Sequence, residues 1–292
     1  MSASSIAETP VWIPCDGEDL LGILAKPGPD HTLRGLGVVI VVGGPQVRVG
    51  SHRQFVELAR SLAGQGWPVL RFDVRGMGDS TGAPRSFEQL TPDIAAAIST
   101  MRAQCGVRQV VLWGLCDGAS AALLHAAEAQ DPTVAGLCLL NPWVRSEASL
   151  ARAHVKHYYL QRLMQPSFWR KLLRGGVAGE AIKGLVGNMR MALGATRAQP
   201  VAQQQDFPIR MAQGWRGFRG GVLLVLSGDD YTAKEFIDTA SRHPAWAGLL
   251  TQRNVQRADL AGADHTFSGH DQRVALERLT ANWLAQVERA AA

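Results

Sequence analysis

The stretch Gly114-Leu115-Cys116-Asp117-Gly118 closes the apolar run VVLWGLC and opens the small-residue run GASAALLHAAEA. A thiol with a glycine two residues to either side, on a tight strand-to-helix turn, has the spacing of a nucleophile elbow, G-x-Nu-x-G. The glycines let neighbouring backbone approach a strained turn. The helix N-terminus behind it favours negative charge, which lowers a thiol pKa and helps to hold an oxyanion. A nucleophile of this kind needs a base and a group to orient the base. Asp229 and Asp230 end the apolar run VLLVLSG; Asp230 is the preferred acid and Asp229 the alternative. His265 stands in AGADHTF, between the last strand pattern and the last helix pattern, a place that none of the other histidines shares. For the oxyanion hole, one donor is the N–H of Asp117 and the other comes from Gly43-Gly44-Pro45-Gln46. Pro45 has no N–H, which leaves Gln46 or Gly44, and Gln46 is preferred. His52 and Arg53, just beyond, are read either as substrate contacts or as the start of a helix.

Positioning these residues requires a sheet whose strand ends share one edge. From residue 36 the chain alternates short apolar, β-branched runs with helical spacing: strands at 36–44, 67–76, 110–116 and 134–144, helices at 54–66, 93–103 and 118–129. That alternation predicts a mostly parallel central sheet with helices on both faces. Ahead of it, VWIPC and LLGILAKP read as an antiparallel pair, with Asp16-Gly17 in the turn. The rhythm breaks after Val144 and returns with GGVLLVLSGDD at 220–230, followed by a helix near 234–240, a strand near 254–260 and an amphipathic helix at 274–287. The expected organisation is one core, 1–144 with 220–292, interrupted by a helical cap at 145–219.

Charge separates the two parts. Between Arg145 and Arg219 there are 13 Lys and Arg against 3 Asp and Glu, whereas the whole chain carries only +5. The basic cap, with Phe168, Trp169, Leu172 and Leu173 beside Arg170, Lys171 and Arg174, is read as a surface for peripheral contact with an anionic membrane or for an anionic substrate. Nucleic acid is not expected from so small an overall excess. The four cysteines, Cys15, Cys105, Cys116 and Cys138, have no C-x-x-C spacing. With neither a secretory leader nor a membrane span, the expectation is a cytoplasmic protein with free thiols, peripheral at most to the inner membrane. No zinc spacing, Walker loop or G-x-G-x-x-G appears, so no metal and no cofactor is expected.

The chain resembles the α/β-hydrolase superfamily, in which nucleophile, acid and histidine follow in the order found for Cys116, Asp230 and His265. Asp73-Val74-Arg75-Gly76-Met77-Gly78-Asp79-Ser80 resembles that superfamily's D-x-R-G-x-G-x-S loop, which implies a turn-shaping role for Asp73 and Arg75. GGPQVRVGSHRQF, LRFDVRGMGDSTG, WGLCDGASAA and SGDDYTAKEF resemble the group called exosortase A system-associated hydrolase 1. That resemblance implies a link to exopolysaccharide production and surface-protein sorting. The cysteine elbow is also similar to that of dienelactone hydrolases, whose triad is Cys, Asp and His.

The activity expected is a cysteine-dependent acyl hydrolase that opens an ester or thioester of a small or lipid-like acyl substrate through a thioacyl-enzyme. An acyltransferase with the same residues and a non-catalytic, membrane-associated scaffold are the alternatives.

Overall fold

The computed structural model describes residues 6–29, 32–44, 46–145 and 206–291. The chain divides into two compact units, Met1–Val144 with Phe207–Ala292, and Arg145–Asp206. All but the two ends of the second unit lies outside the described residues, so the expected cap helices and their basic face do too.

In the first unit the strands are β1 (Ala7–Cys15), β2 (Glu18–Lys26), β3 (Leu36–Val41), β4 (Val69–Phe72), β5 (Gln109–Leu115), β6 (Val134–Leu140), β7 (Gly221–Ser227) and β8 (Val255–Leu260). They form one sheet in the order β1-β2-β4-β3-β5-β6-β7-β8. Pairing is antiparallel for β1 with β2 and for β2 with β4, and parallel from β4 onward. The helices are α1 (Gln54–Ala63), α2 (Thr91–Cys105), α3 (Asp117–Ala129), α4 (Phe207–Gly217), α5 (Tyr231–Arg242) and α6 (His270–Ala291). This is the mostly parallel sheet that the alternation predicts, in the α/β-hydrolase arrangement that the resemblance implies.

The strand sequences explain the layering. Successive strand residues point to opposite faces, so Val39, Leu112, Leu139 and Leu224 enter the core beneath α2, α3 and α4. Their neighbours Ile40, Trp113, Cys138 and Val225 enter the core beneath α1 and α6. Covered on both faces, the central strands have to be apolar throughout, which is why they read as unbroken runs. β8 closes the edge and is half-buried, with Arg257 paired to Asp259 at 2.8 Å. The β1–β2 hairpin turns at Asp16 and Gly17, both at positive φ (51° and 83°), as a two-residue turn of this hand requires.

One boundary moves. The stretch 145–219 was expected to be cap, yet α4 packs on the core: Phe207, Met211 and Trp215, four residues apart, form a buried stripe. A Cβ on Gly214 would collide with the carbonyl oxygen of Leu123, so α4 lies backbone to backbone on α3. Trp215 is sealed by Trp246, edge-on at 5.8 Å, and by Phe236. Two of the basic residues assigned to the cap therefore pair with the core. Arg210 pairs with Glu88 at 3.1 Å and with Glu128 at 2.8 Å, and Arg216 donates to the carbonyl of Ala245.

Candidate active site

Cys116 follows β5 and takes φ 58°, ψ −123° at the N-cap of α3. A left-handed φ on a residue with a side chain is strained, and the surroundings hold it in place. The Cys116 N–H donates to Leu140 O at 2.9 Å, and its carbonyl accepts from Ala119 N at 3.1 Å, Ser120 N at 3.2 Å and Trp143 N at 3.3 Å. A Cβ on Gly114 would overlap the Gly118 carbonyl, and one on Gly118 would overlap Val41 O. Both flanking glycines are therefore required by close approach. Cys116 is half-buried. Ser120, one turn into α3, is fully buried and donates its hydroxyl to Trp143 O at 2.7 Å.

Across the C-terminal edge of β6 and β7, His265 Nδ1 lies 2.9 Å from Asp230 Oδ2. With the proton on Nδ1 donated to the carboxylate, Nε2 is left as an acceptor. Asp230, 7% exposed, also caps α5, taking the N–H of Thr232 on Oδ1 at 3.1 Å and that of Ala233 on Oδ2 at 3.2 Å. Asp229 is exposed and donates its N–H to Ala263 O. Of the two neighbouring acids, the structure brings Asp230 to the histidine.

The His265 loop is fixed by residues that the sequence analysis did not single out. Asn141, buried at the end of β6, donates its amide to Ser227 Oγ at 2.8 Å and to His265 O at 3.2 Å, and accepts the Ser227 N–H at 2.9 Å. Ser227, the last residue of β7, passes its hydroxyl to Asp264 O at 2.8 Å. The Asp264 carboxylate gathers the N–H groups of Thr266 and Ser268, both at 3.0 Å, and the Ser268 hydroxyl. The Ser268 hydroxyl bond, the first of these effects, holds the Asp264 carboxyl below the usual carboxylate range. Their sequence signal is a polar residue ending an apolar strand, as in CLLN and VLLVLS.

On the other side of the elbow, the Asp117 side chain folds onto the Gly43-Gly44 loop, where a Cβ on Gly43 would collide with it. Burial pushes the Asp117 carboxyl up; hydrogen bonds from its own N–H and those of Gly44 and Gly118, and the charge of His265, oppose this. The loop that follows is anchored by Asp73, which is fully buried. It takes the Arg48 N–H at 2.6 Å, the Arg48 guanidinium and the Asp79 N–H at 3.2 Å. Arg75 is buried against Asp93, with Nε 2.6 Å from Oδ1. His52 and Arg53 are exposed, both left-handed, at the lead-in to α1.

The family model described as "Serine aminopeptidase, S33" matches residues 37–206, more than half of the chain. The lysophosphatidylserine lipase ABHD12 of Gallus gallus is 30% identical over 142 residues, 47% of this chain and 35% of that protein. The chain thus spans about a third of that curated relative's length. Among solved structures, a dienelactone hydrolase from Anabaena variabilis superposes with a TM-score of 0.61 at 14% identity, covering 96% of this chain and 98% of that one. Est1E from Butyrivibrio proteoclasticus gives 0.58 at 13% identity, covering 95% and 98%. At these identities the structures show the fold alone.

These findings correct the expected classification. The matching family is described by a serine enzyme, and the curated relative is named a lipase. Neither points to a cysteine-defined, exosortase-associated group. The assignment to that group is withdrawn, and with it the cysteine-dependent acyl hydrolase and its transferase and scaffold alternatives. What stands is membership of the family described as serine aminopeptidase, S33. At the elbow, where the family's description leads one to expect serine, this chain carries Cys116. Among the described residues no helix is long and apolar enough to cross a membrane.

Proposed function

The chain belongs to the serine aminopeptidase S33 family, and from that membership we propose that it hydrolyses carboxylic esters at the site formed by Cys116, His265 and Asp230. The observation that carries this reading is the His265–Asp230 pair at 2.9 Å, on a loop pinned to the same sheet edge as the strained elbow. His265 Nε2 takes a proton from a water molecule as the water oxygen bonds to the ester carbonyl carbon. The same proton goes to the departing alkoxide oxygen, and the alcohol leaves. Asp230 holds the imidazole in the required tautomer. The carbonyl oxygen is held by the N–H groups of Asp117 and Gln46.

The lipase among the relatives favours a lipid-like ester as substrate. The basic residues between 145 and 206 would then serve peripheral contact with an anionic membrane. Flotation with phosphatidylserine vesicles checks that contact: replacing Arg170, Lys171 and Arg174 together by Gln should reduce binding, and unchanged binding removes it.

The decisive assay is turnover of p-nitrophenyl esters and of a lysophospholipid by the wild type, Cys116→Ala, Cys116→Ser and His265→Ala. Alanine at 265 should lower kcat by about 10³-fold or more, while Cys116→Ser, which places at the elbow the residue expected of the family, should retain measurable turnover. Full activity in His265→Ala would place the reaction on another side chain. No hydrolysis of any ester by the wild type would end the esterase reading.

A further inference from the structure

A cavity of about 260 Å³ opens beside the elbow, walled by Val42, Val74, Met77, Phe87 and Leu90 and closed at one side by Gly44 and Asp117. Arg85 and Ser86, both exposed, stand at its solvent side. Its walls come from the end of β3, from the 74–90 segment and from the first residue of α3. None comes from the loops that carry Asp230 and His265. That division has a chemical consequence. The leaving oxygen of an ester must receive its proton from His265, so the alcohol part lies on the histidine side. The part that lies on the Gly44 side, beyond the oxyanion donors, is the acyl chain.

We propose that this cavity is the acyl-binding subsite, and that it selects short to medium, uncharged acyl chains. The assignment rests on the esterase reading of the same site. Its volume sets the length: at about 30 Å³ per non-hydrogen atom, taking the share of one water molecule in the liquid, it has room for roughly nine such atoms. Five apolar walls favour a hydrocarbon chain. Asp117 makes the inner end unsuitable for an anion. Its carboxylate is tied to the backbone N–H groups of Gly44 and Gly118 and cannot turn away, so a second carboxylate there would be left without a partner.

The test is kcat/KM across p-nitrophenyl esters from acetate to palmitate, for the wild type and two variants that change the cavity in opposite directions. The wild type should peak between butyrate and octanoate and fall at least tenfold by palmitate. Met77→Trp, which fills the cavity, should move the peak toward acetate. Phe87→Ala, which enlarges it, should move the peak toward longer chains. Calorimetry with hexanamide, a neutral mimic of the acyl part that undergoes no turnover, separates the two readings. Binding to the wild type and loss of binding in Met77→Trp supports the subsite even if no ester is cleaved. Hydrolysis with a chain-length profile that neither variant moves overturns the subsite and leaves the esterase reading intact.

Discussion

Asp230 performs two tasks with one carboxylate, and they can be separated chemically. Oδ1 and Oδ2 cap α5 through Thr232 and Ala233, while Oδ2 also faces His265 Nδ1. Asparagine is as good an N-cap as aspartate, so Asp230→Asn should keep the helix start and leave the melting temperature within a few degrees. An amide does not stabilise the imidazolium that forms during the reaction, and it favours the wrong tautomer. Steady-state kinetics should therefore show kcat lower by about 10³ to 10⁴ with little change in KM. Asp229→Asn, at an exposed side chain, should leave both constants unchanged, and equal losses at 229 and 230 would refute the assignment. The pairing of Asp230 with His265 was legible in the sequence because Asp230 follows an apolar strand and His265 stands in the loop after the last strand, and strand ends of a parallel sheet share an edge. Asn141 and Ser227 were not. Their bond spans 86 residues of chain and exists because β6 and β7 are neighbours, which no local spacing reveals.

At the level of elements, that same bond joins two strand ends to the loop of the reactive histidine. Asn141→Ala removes the donor to His265 O and to Ser227 Oγ and leaves the Ser227 N–H without its acceptor. The cost of buried groups left without partners is about 2–3 kcal/mol, readable as a lower urea midpoint. A histidine loop displaced even slightly loses orientation, so kcat should fall about tenfold while KM holds. A stability loss with unchanged kcat would make Asn141 purely a fold residue. The elements themselves were mostly readable: β3, β5, β6 and β7 are buried on both faces and so appear as continuous apolar runs. α4 was misplaced because 145–219 was read as one block, from its lack of strands and its basic charge. The stripe Phe207, Met211, Trp215 was present all along, and burial against α3 rather than net charge decides where such a helix goes.

For the whole molecule, two ionisable groups on α3, one buried and one half-buried, give stability opposite dependences on pH. His125 is 1% exposed. Burial pushes its pKa below the ordinary 6.5, against the charges of Asp131 and Glu128. As the pH falls through about 6.5 the unfolded chain takes up this proton and the native state does not. Stability is therefore full above that value and is lost as the medium becomes more acid. Asp117 works the other way. Its carboxyl is raised above the ordinary 3.8, chiefly by burial, so the native state takes up the proton first, and the cost of burying the ionised form is relieved as the pH falls toward the carboxylate range. Melting temperatures measured from pH 7.5 to 4 in wild type, His125→Leu and Asp117→Asn resolve the two. Leucine at 125 should flatten the loss between pH 7 and 5, and asparagine at 117 should raise stability at pH 7 relative to pH 4. A His125→Leu curve parallel to the wild type throughout would mean that the imidazole already accepts its proton in the folded protein. The acid-side loss would then belong to other groups, Asp264 among them. The Asp264 carboxyl is lowered by its Ser268 and Thr266 partners, so its contribution is present above the ordinary carboxylate pKa and disappears only as the pH falls below it.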